Sequence, residues 1–428
     1  SNSPAVTGRS YADFEYDFNA TISVTATAIS SIDNLTISQG TFNFNVTTTI
    51  GHSIKGNITV QPGTTLNFNP ASAGTVNLNG TAQQTISGGG TITSNANSTL
   101  VINNASGVVL NNNLSLTGNL TITSVSLTIN PGKQLTVSGT LTNTPGATGL
   151  VIKSDATGTG SLINSSAGVQ ATVERYLTGY ADIEDNMFHL ISSPVAAQAI
   201  REEFVTNTPT VGHDFYYFDE TTNMWINSKD GSGNWNNSEF ESNFVVGKGY
   251  LVAYPTNETK TFTGVLNSAQ AVLTCSNTPG EGEGWNLLGN PFPSAIDWDL
   301  VTKGTGMDNA LYYYDNAQQK YRYYIQFSGD DGSQTIGDGA QYIPAMQGFM
   351  VHANTDGATL TIPVAAKTHS GQNVFYKSTE TVPGSLVLKV AANGNEDEAF
   401  IHFTSQASTA FDGAYDAYKL RSYSEVVP

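Results

Sequence analysis

Between residues 21 and 150 only three side chains carry a formal charge, Asp33, Lys55 and Lys133. A folded region that leaves out almost every Lys, Arg, Asp and Glu has few structural options, because charged residues make up about a quarter of an ordinary globular chain. The deficit is local. Residues 1–150 hold three basic and four acidic side chains, a net charge of −1, whereas residues 151–428 hold 14 and 31, a net charge of −17.

The same stretch is built from short alternating segments. From about Asn34 to Asn164 they include NLTIS, TFNFNV, NITVQ, TLNFN, TVNLN, TLVIN, NLSLT, NLTIT, SLTIN, QLTVS and TLTN. Each sets aliphatic or Phe side chains at i and i+2 with Thr, Asn or Ser between them, the pattern of a strand with one buried face. Clusters such as Asn103-Asn104, Asn111-Asn112 and Gly88-Gly89-Gly90 punctuate them. Two architectures suit many short strands, a β-sandwich and a parallel β-helix. Charge favours the helix: coils stack at about 4.8 Å, so like charges at equivalent positions would align and repel, whereas Asn and Thr form hydrogen-bonded ladders. Three strands per coil of about 20 residues predict six or seven coils and a rod of roughly 30 Å. Tyr11, Phe14, Tyr16 and Phe18, interleaved with acidic residues, read as a capping strand.

Composition excludes several functions. A net charge of −18 without a basic cluster lacks the footprint that nucleic acid requires, and anionic membranes are disfavoured for the same reason. No apolar run approaches the roughly 18 residues of a membrane helix, and SNSPAVTGRS is not a signal peptide. The single Cys275 excludes an internal disulfide and reads as a packed thiol. The solenoid lacks the paired carboxylates that polysaccharide-cleaving β-helices need. The Asn-X-Ser/Thr matches at Asn34, Asn57, Asn97 and Asn119 follow from composition and are not evidence of glycosylation.

After Arg175 aromatic and acidic residues appear, and a duplication becomes visible. The first copy runs Phe188 to Val195, then Phe215 to Asp219, then Gly247 to Val252. The second runs Trp285 to Phe292, then Leu311 to Asp315, then Met346 to Val351. Pro194 and Pro291 are 97 apart, Asp219 and Asp315 are 96 apart, and Gly249 and Gly348 are 99 apart. The Gly before an aromatic marks a bulge or a close backbone approach. Ser385–Val390 and Ala399–Phe403, joined by Asn393-Gly394, form a hairpin candidate. The expected fold is all-β: a β-solenoid with an N-terminal cap over 1–170, and duplicated jelly-roll-like β-sandwich domains over 171–375, with copies at about 180–280 and 281–370. A further β region, truncated, is expected over 376–428.

The strings FHLISSPV, GWNLLGNPFPSAIDWD, NALYYYD, IPAMQGFMVHA and FDGAYDAYKL resemble a module of large secreted multidomain surface proteins of Bacteroidota, where it lies ahead of a C-terminal type IX secretion sorting domain. The Thr/Asn-rich run ending in VERYL resembles the solenoid stalks of adhesin-like members. The resemblance implies an extracellular or outer-surface location, a structural or adhesive role, and export by the type IX machinery through a domain beyond Pro428. It supplies no catalytic residues.

Motifs for chemistry are sparse. There is no Gly-x-Ser-x-Gly elbow, no His-Glu-x-x-His and no phosphate loop. Gly280-Glu281-Gly282-Glu283-Gly284 reads as a flexible linker, and the six histidines show no ligand spacing. Calcium is the one metal the spacing allows. Asp230, Ser232, Asn234, Asn236, Ser238 and Glu241 fall at positions 1, 3, 5, 7, 9 and 12 of a calcium loop, although Trp235 stands where that loop needs glycine. A polar hairpin loop is the simpler reading there. Asp330, Asp331 and Asp338 form a second acidic candidate, whose simpler reading is a solvated loop. Trp225 and Trp235, with Asn234 and Asn236, could bind a sugar ring, or equally cap the core. The leading expectation is therefore a non-enzymatic stalk and interaction module, with surface glycans or other surface proteins as partners. The alternative is a carbohydrate-binding module that uses calcium; a hydrolase or lyase ranks third.

Overall fold

Alternation becomes parallel pairing. In the computed structural model, which describes residues 7–26, 30–46, 51–180, 188–205, 213–315, 320–329, 332–371, 385–392 and 395–420, the N-terminal third is a β-solenoid of about seven turns. The strands His52–Ile54, Ile58–Val60 and Thr65–Phe68 all pair with Ser31–Val46 behind them. Ahead of them they pair with Gly74–Leu78, Gln84–Ser87 and Thr91–Ser94, so each coil has three faces.

One inward ladder runs through Phe14, Leu35, Ile58, Ile86, Leu110, Ile129, Ile152 and Val173, each in register with the next and all buried. Its seven steps of about 4.8 Å give a stack of about 34 Å. The steps range from 19 residues, Leu110 to Ile129, to 28 residues, Ile58 to Ile86.

The outward face carries the polar ladder that the charge deficit implied. Ser23, Asn43, Asn67 and Thr93 stack in register. Asn43 Nδ2 donates to Ser23 Oγ at 3.0 Å, Asn67 Nδ2 donates to Asn43 Oδ1 at 2.7 Å, and the Thr93 hydroxyl donates to Asn67 Oδ1. Coil corners use the same chemistry: Asn34 Oδ1 accepts from the Asn57 N–H, Asn57 Oδ1 from the Thr85 N–H, and Asn119 Oδ1 from the Thr140 N–H.

Apart from the isolated Asp33, Lys55 and Lys133, charge is concentrated where the stack ends. Asp13, Glu15 and Asp17 lie on the first strand, Ser10–Ala26, and accept from Asn34, Ser38 and Gln39 on the next one. Lys153 and Glu174 pair in the last coils. Phe14 and Tyr16 are buried as expected of a cap, whereas Phe18 points outward, because the register shifts after Tyr16 and again before Thr21.

The chain divides into two compact units, Ser1–Tyr176 with Thr261–Ala269, and Leu177–Lys260 with Gln270–Pro428. The segment Thr261–Ala269, inside the first sequence copy, thus belongs with the solenoid, where the Leu266 N–H donates to Val169 O at 2.8 Å.

The second unit consists of several small antiparallel sheets. The first-copy sheet has the strand order His189–Ile191, Tyr250–Ala253, Asp214–Asp219, Met224–Asn227. The second-copy sheet repeats it as Trp285–Gly289, Gly348–His352, Leu311–Asp315, Lys320–Gly329, and adds Gly332–Ile336. Register repeats too. Leu190 pairs with Leu251 as Leu287 pairs with Met350, and Phe218 pairs with Trp225 as Tyr314 pairs with Tyr321.

The two copies meet through reciprocal contacts. Ile191 bridges Gln347 as Leu288 bridges Lys248. The Ser192 N–H donates to Met346 O at 3.0 Å, and the Gly289 N–H donates to Gly247 O at 2.8 Å. Such an exchange of equivalent partners is the signature of a two-fold relation, here within one chain. It requires close backbone approach at the two sequence-matched glycines. A Cβ on Gly249 would lie 2.4 Å from Leu288 O, and one on Gly348 would lie 2.9 Å from Leu190 Cβ.

Away from this junction the copies differ. The second-copy sheet covers an aliphatic-rich core with Leu273, Cys275, Ile296, Leu360 and Ile362 from small facing sheets. The first-copy sheet covers an aromatic one, in which Phe204 and Phe244 (4.8 Å between ring centres) pack with Phe215 and Tyr250. Burial pushes the Cys275 thiol up to about 12, so it is an inert core residue.

The C-terminal hairpin forms as expected, with Ser385–Ala392 against Asn395–His402; its turn residues Asn393 and Gly394 lie outside the described residues. It packs within the second unit, Phe400 against Tyr323 and His402 against Phe327.

Two stability tests follow. Asn67→Asp replaces the donor facing Asn43 Oδ1 with a carboxylate oxygen, so urea unfolding should show a loss of about 1–3 kcal/mol at neutral pH, smaller in acid once the carboxyl regains a proton. Gly348→Ala should cost about 1–3 kcal/mol through overpacking. Gly231→Ala, with nothing within 4 Å of the added Cβ, should change stability by no more than about 0.5 kcal/mol.

Candidate functional site

Alternate residues of the paired aromatic strands share one face. In the first copy these are Asp214, Tyr216 and Phe218 with Trp225 and Asn227; in the second, Ala310, Tyr312 and Tyr314 with Tyr321 and Tyr323. Together with Leu190, Leu251, Leu287 and Met350, all of these except Asp214 and Asn227 build one aromatic-rich cluster across both copies.

The second-copy half of this face is covered by the end of the chain. The Tyr418 N–H donates to Tyr312 Oη at 2.8 Å, and the Tyr418 ring packs on Trp285 and His352, with ring centres 5.6 and 4.8 Å apart. Burial raises the Tyr312 phenol well above its ordinary range. Beneath this strap lies a polar clasp. His352 Nδ1 is 2.7 Å from Asp308 Oδ2, His352 Nε2 is 2.8 Å from Glu283 O, and Asn354 donates to the other Asp308 oxygen. Asn309 binds the strap directly, its N–H donating to Gly413 O at 2.8 Å and its Nδ2 to Ala414 O at 3.0 Å.

The first-copy half is more open. Tyr312 and Tyr314 are 1% and 4% exposed, whereas their counterparts Tyr216 and Phe218 are only half-buried, as are Trp225, Asp214 and Asn227. Trp225 lies against Phe218 with ring centres 5.3 Å apart. Tyr216 Oη donates to Asp214 Oδ1 at 3.3 Å and accepts from Asn227 Nδ2 at 3.2 Å.

The two tryptophans singled out in the sequence therefore part company. Trp235 is 8% exposed and packs edge-on against Phe240, a core position with no free ring face, while Trp225 stays at the surface of the sheet. Asn236 is buried and donates to Asn227 O and Glu239 Oε2; Asn234 is exposed in the loop beside it.

The calcium spacing is realised as a hydrogen-bonded loop. Asp230 Oδ1 accepts from the N–H groups of Ser232 (2.8 Å) and Asn234 (2.9 Å), while Glu241 accepts from Lys248 and from Tyr250 Oη (2.9 Å). Asp338 pairs with Arg322 at 3.0 Å and Lys320 at 3.3 Å; Asp330 and Asp331 lie outside the described residues. Among the described residues no group of three or more His, Cys, Asp and Glu comes together to hold a metal ion.

The glycine-rich linker is also not loose. Buried Glu220 accepts from the N–H groups of Thr278 (2.6 Å) and Gly284 (2.9 Å) and from Thr278 Oγ1 (2.8 Å). Its backbone oxygen accepts from the Gly282 N–H, and a Cβ on Gly282 would lie 2.2 Å from that oxygen. Sequence reading missed Glu220, Asp308 and the Asp214–Asn227 pair. For the last of these a signal existed, the polar replacement of residues aligned with Ala310 and Tyr323 at the same offset of 96.

Residues 90–426 match a family described as a domain of unknown function, DUF8693. The chain belongs to this family. Its extent takes in the later solenoid coils as well as the duplicated sheets, consistent with Thr261–Ala269 belonging to the solenoid unit. No curated protein and no solved structure matches the chain.

Asp308→Ala should uncouple the strap. The expected result is a loss of about 2 kcal/mol or more in thermal or denaturant unfolding, with faster hydrogen exchange across residues 412–420 than in the parent protein.

Proposed function

We propose that this DUF8693 chain is a non-enzymatic structural and interaction module of an extracellular or cell-surface protein, with the solenoid as stalk and the duplicated unit as the part that meets a partner. The observation that carries this reading is where the polar side chains are committed. Outward Asn and Thr residues of the solenoid bond the adjoining coils. In the second unit, Glu220, Glu241, Asp308, Asp315 and Asp338 each hold a backbone group or a neighbouring side chain. A rod whose surface groups cross-link its own coils supplies reach and stiffness, and carboxylates held this way are poorly disposed for acid-base turnover.

The finer assignment, to type IX-secreted adhesin-like surface proteins of Bacteroidota, is supported by the strings FHLISSPV, GWNLLGNPFPSAIDWD and FDGAYDAYKL. Labelling of intact producing cells with an antibody against residues 1–176 should stain their surface, and disabling type IX export should abolish the stain. Reducing ends or peptides released by the purified protein from polysaccharide or protein substrates would refute the non-enzymatic reading.

A further inference from the structure

We infer that the open half of the aromatic face, Trp225, Phe218 and Tyr216 with Asp214 and Asn227, is a binding surface for a neutral polysaccharide. The inference deepens the proposed function, on which it rests, by naming the ligand class of the interaction module.

The internal two-fold relation supplies the control. At matched positions the second copy has Tyr312 and Tyr314 buried beneath the strap, and the first has Tyr216 and Phe218 half-buried. The covered half suits an apolar partner, since Ala310 is fully buried and Tyr323 packs on Phe400. At those two places the open half has Asp214 and Asn227. A face that exchanges two apolar contacts for a carboxylate and an amide, while keeping its rings, is ill-suited to a second apolar strap. An apolar strap would offer nothing to the hydrogen-bonding capacity of Asp214 and Asn227 that Tyr216 and the Lys229 N–H leave over, and burying it would be costly.

The combination suits a pyranose ring. The C–H face of a sugar packs on aromatic surface, and its equatorial hydroxyls need donors and acceptors at the ring margin. Here they would meet Asp214 Oδ1 and Asn227 Nδ2, which already flank Tyr216 Oη at 3.3 and 3.2 Å. Charge selects among glycans. Residues 151–428 carry a net charge of −17 and the face itself carries the Asp214 carboxylate, so an anionic polymer is disfavoured.

Affinity electrophoresis of the full chain through gels containing xyloglucan, laminarin, galactomannan or dextran tests the assignment. At least one should retard the parent protein. Trp225→Ala should weaken that retardation about tenfold or more. Asn227→Ala, which leaves the rings in place but removes the bonds to Tyr216 and to the Lys229 N–H, should weaken it at least about threefold while the protein stays folded at the assay temperature, as circular dichroism would show. Quenching of tryptophan fluorescence should accompany binding and diminish in Trp225→Ala. Lack of retardation by every polymer overturns the inference, as does retardation that survives Trp225→Ala. A Trp225-dependent dimer in sedimentation assigns the face to a second copy and overturns it as well. Release of reducing sugar during these incubations would refute the non-enzymatic function while leaving Trp225-dependent binding intact, so the two claims fail separately.

Discussion

Parallel stacking of successive coils at about 4.8 Å places every residue of the solenoid directly above and below its counterparts. Whatever stands at one rung must tolerate itself at the next. Aliphatic residues do so inwardly, as the ladder from Leu35 to Val173 shows, and amides do so outwardly, because Asn67 can donate to Asn43 while accepting from Thr93. A carboxylate or ammonium cannot. Its repulsion is avoided where the neighbouring rung is missing, neutral or of opposite charge: Asp13, Glu15 and Asp17 lie on the first strand, Lys153 pairs with Glu174, and Asp33, Lys55 and Lys133 are scattered singly.

The second unit obeys a different constraint, complementarity of a sheet edge with its own duplicate. The junction works because matched residues are small or extended, Ser192 opposite Gly289 and the backbone of Gly249 against Leu287, so that reciprocal bonds can form. Gly247 and Met346 share a left-handed backbone, with φ of 75° and 58°, at equivalent positions of that junction. Away from it each copy has been free to acquire its own core, aromatic loops on one side and aliphatic strands on the other. Among the described residues, Gly413, Ala414 and Tyr418 pack on the second copy, and the rings there are more buried than their first-copy counterparts.

Much of this was legible in residue order. Period-two alternation named the strands, the charge deficit chose a stacked geometry, and the offsets of 96, 97 and 99 disclosed a duplication that reappears in the registers. The calcium-like spacing left a polar loop as the simpler reading, because spacing records neither which way an oxygen points nor who reaches it first. Asp230 closes on its own loop, and Glu241 is taken by Lys248 and Tyr250. Trp225 and Trp235 looked alike among Asn and Ser neighbours, yet only the fold sends Trp235 into the core beside Phe240.

The sequence by itself determined the elements and their repetition, since both arise from local period and from rungs that must match their neighbours. Tertiary structure alone decided how distant pieces combine: that Thr261–Ala269 belongs with the solenoid, that Glu220 holds a glycine-rich loop some 60 residues away, and that Tyr418 packs on the second copy more than 100 residues back. These outcomes depend on which surfaces come within hydrogen-bonding and van der Waals range after the chain has folded. Contacts between segments far apart in sequence leave no period for the sequence to display.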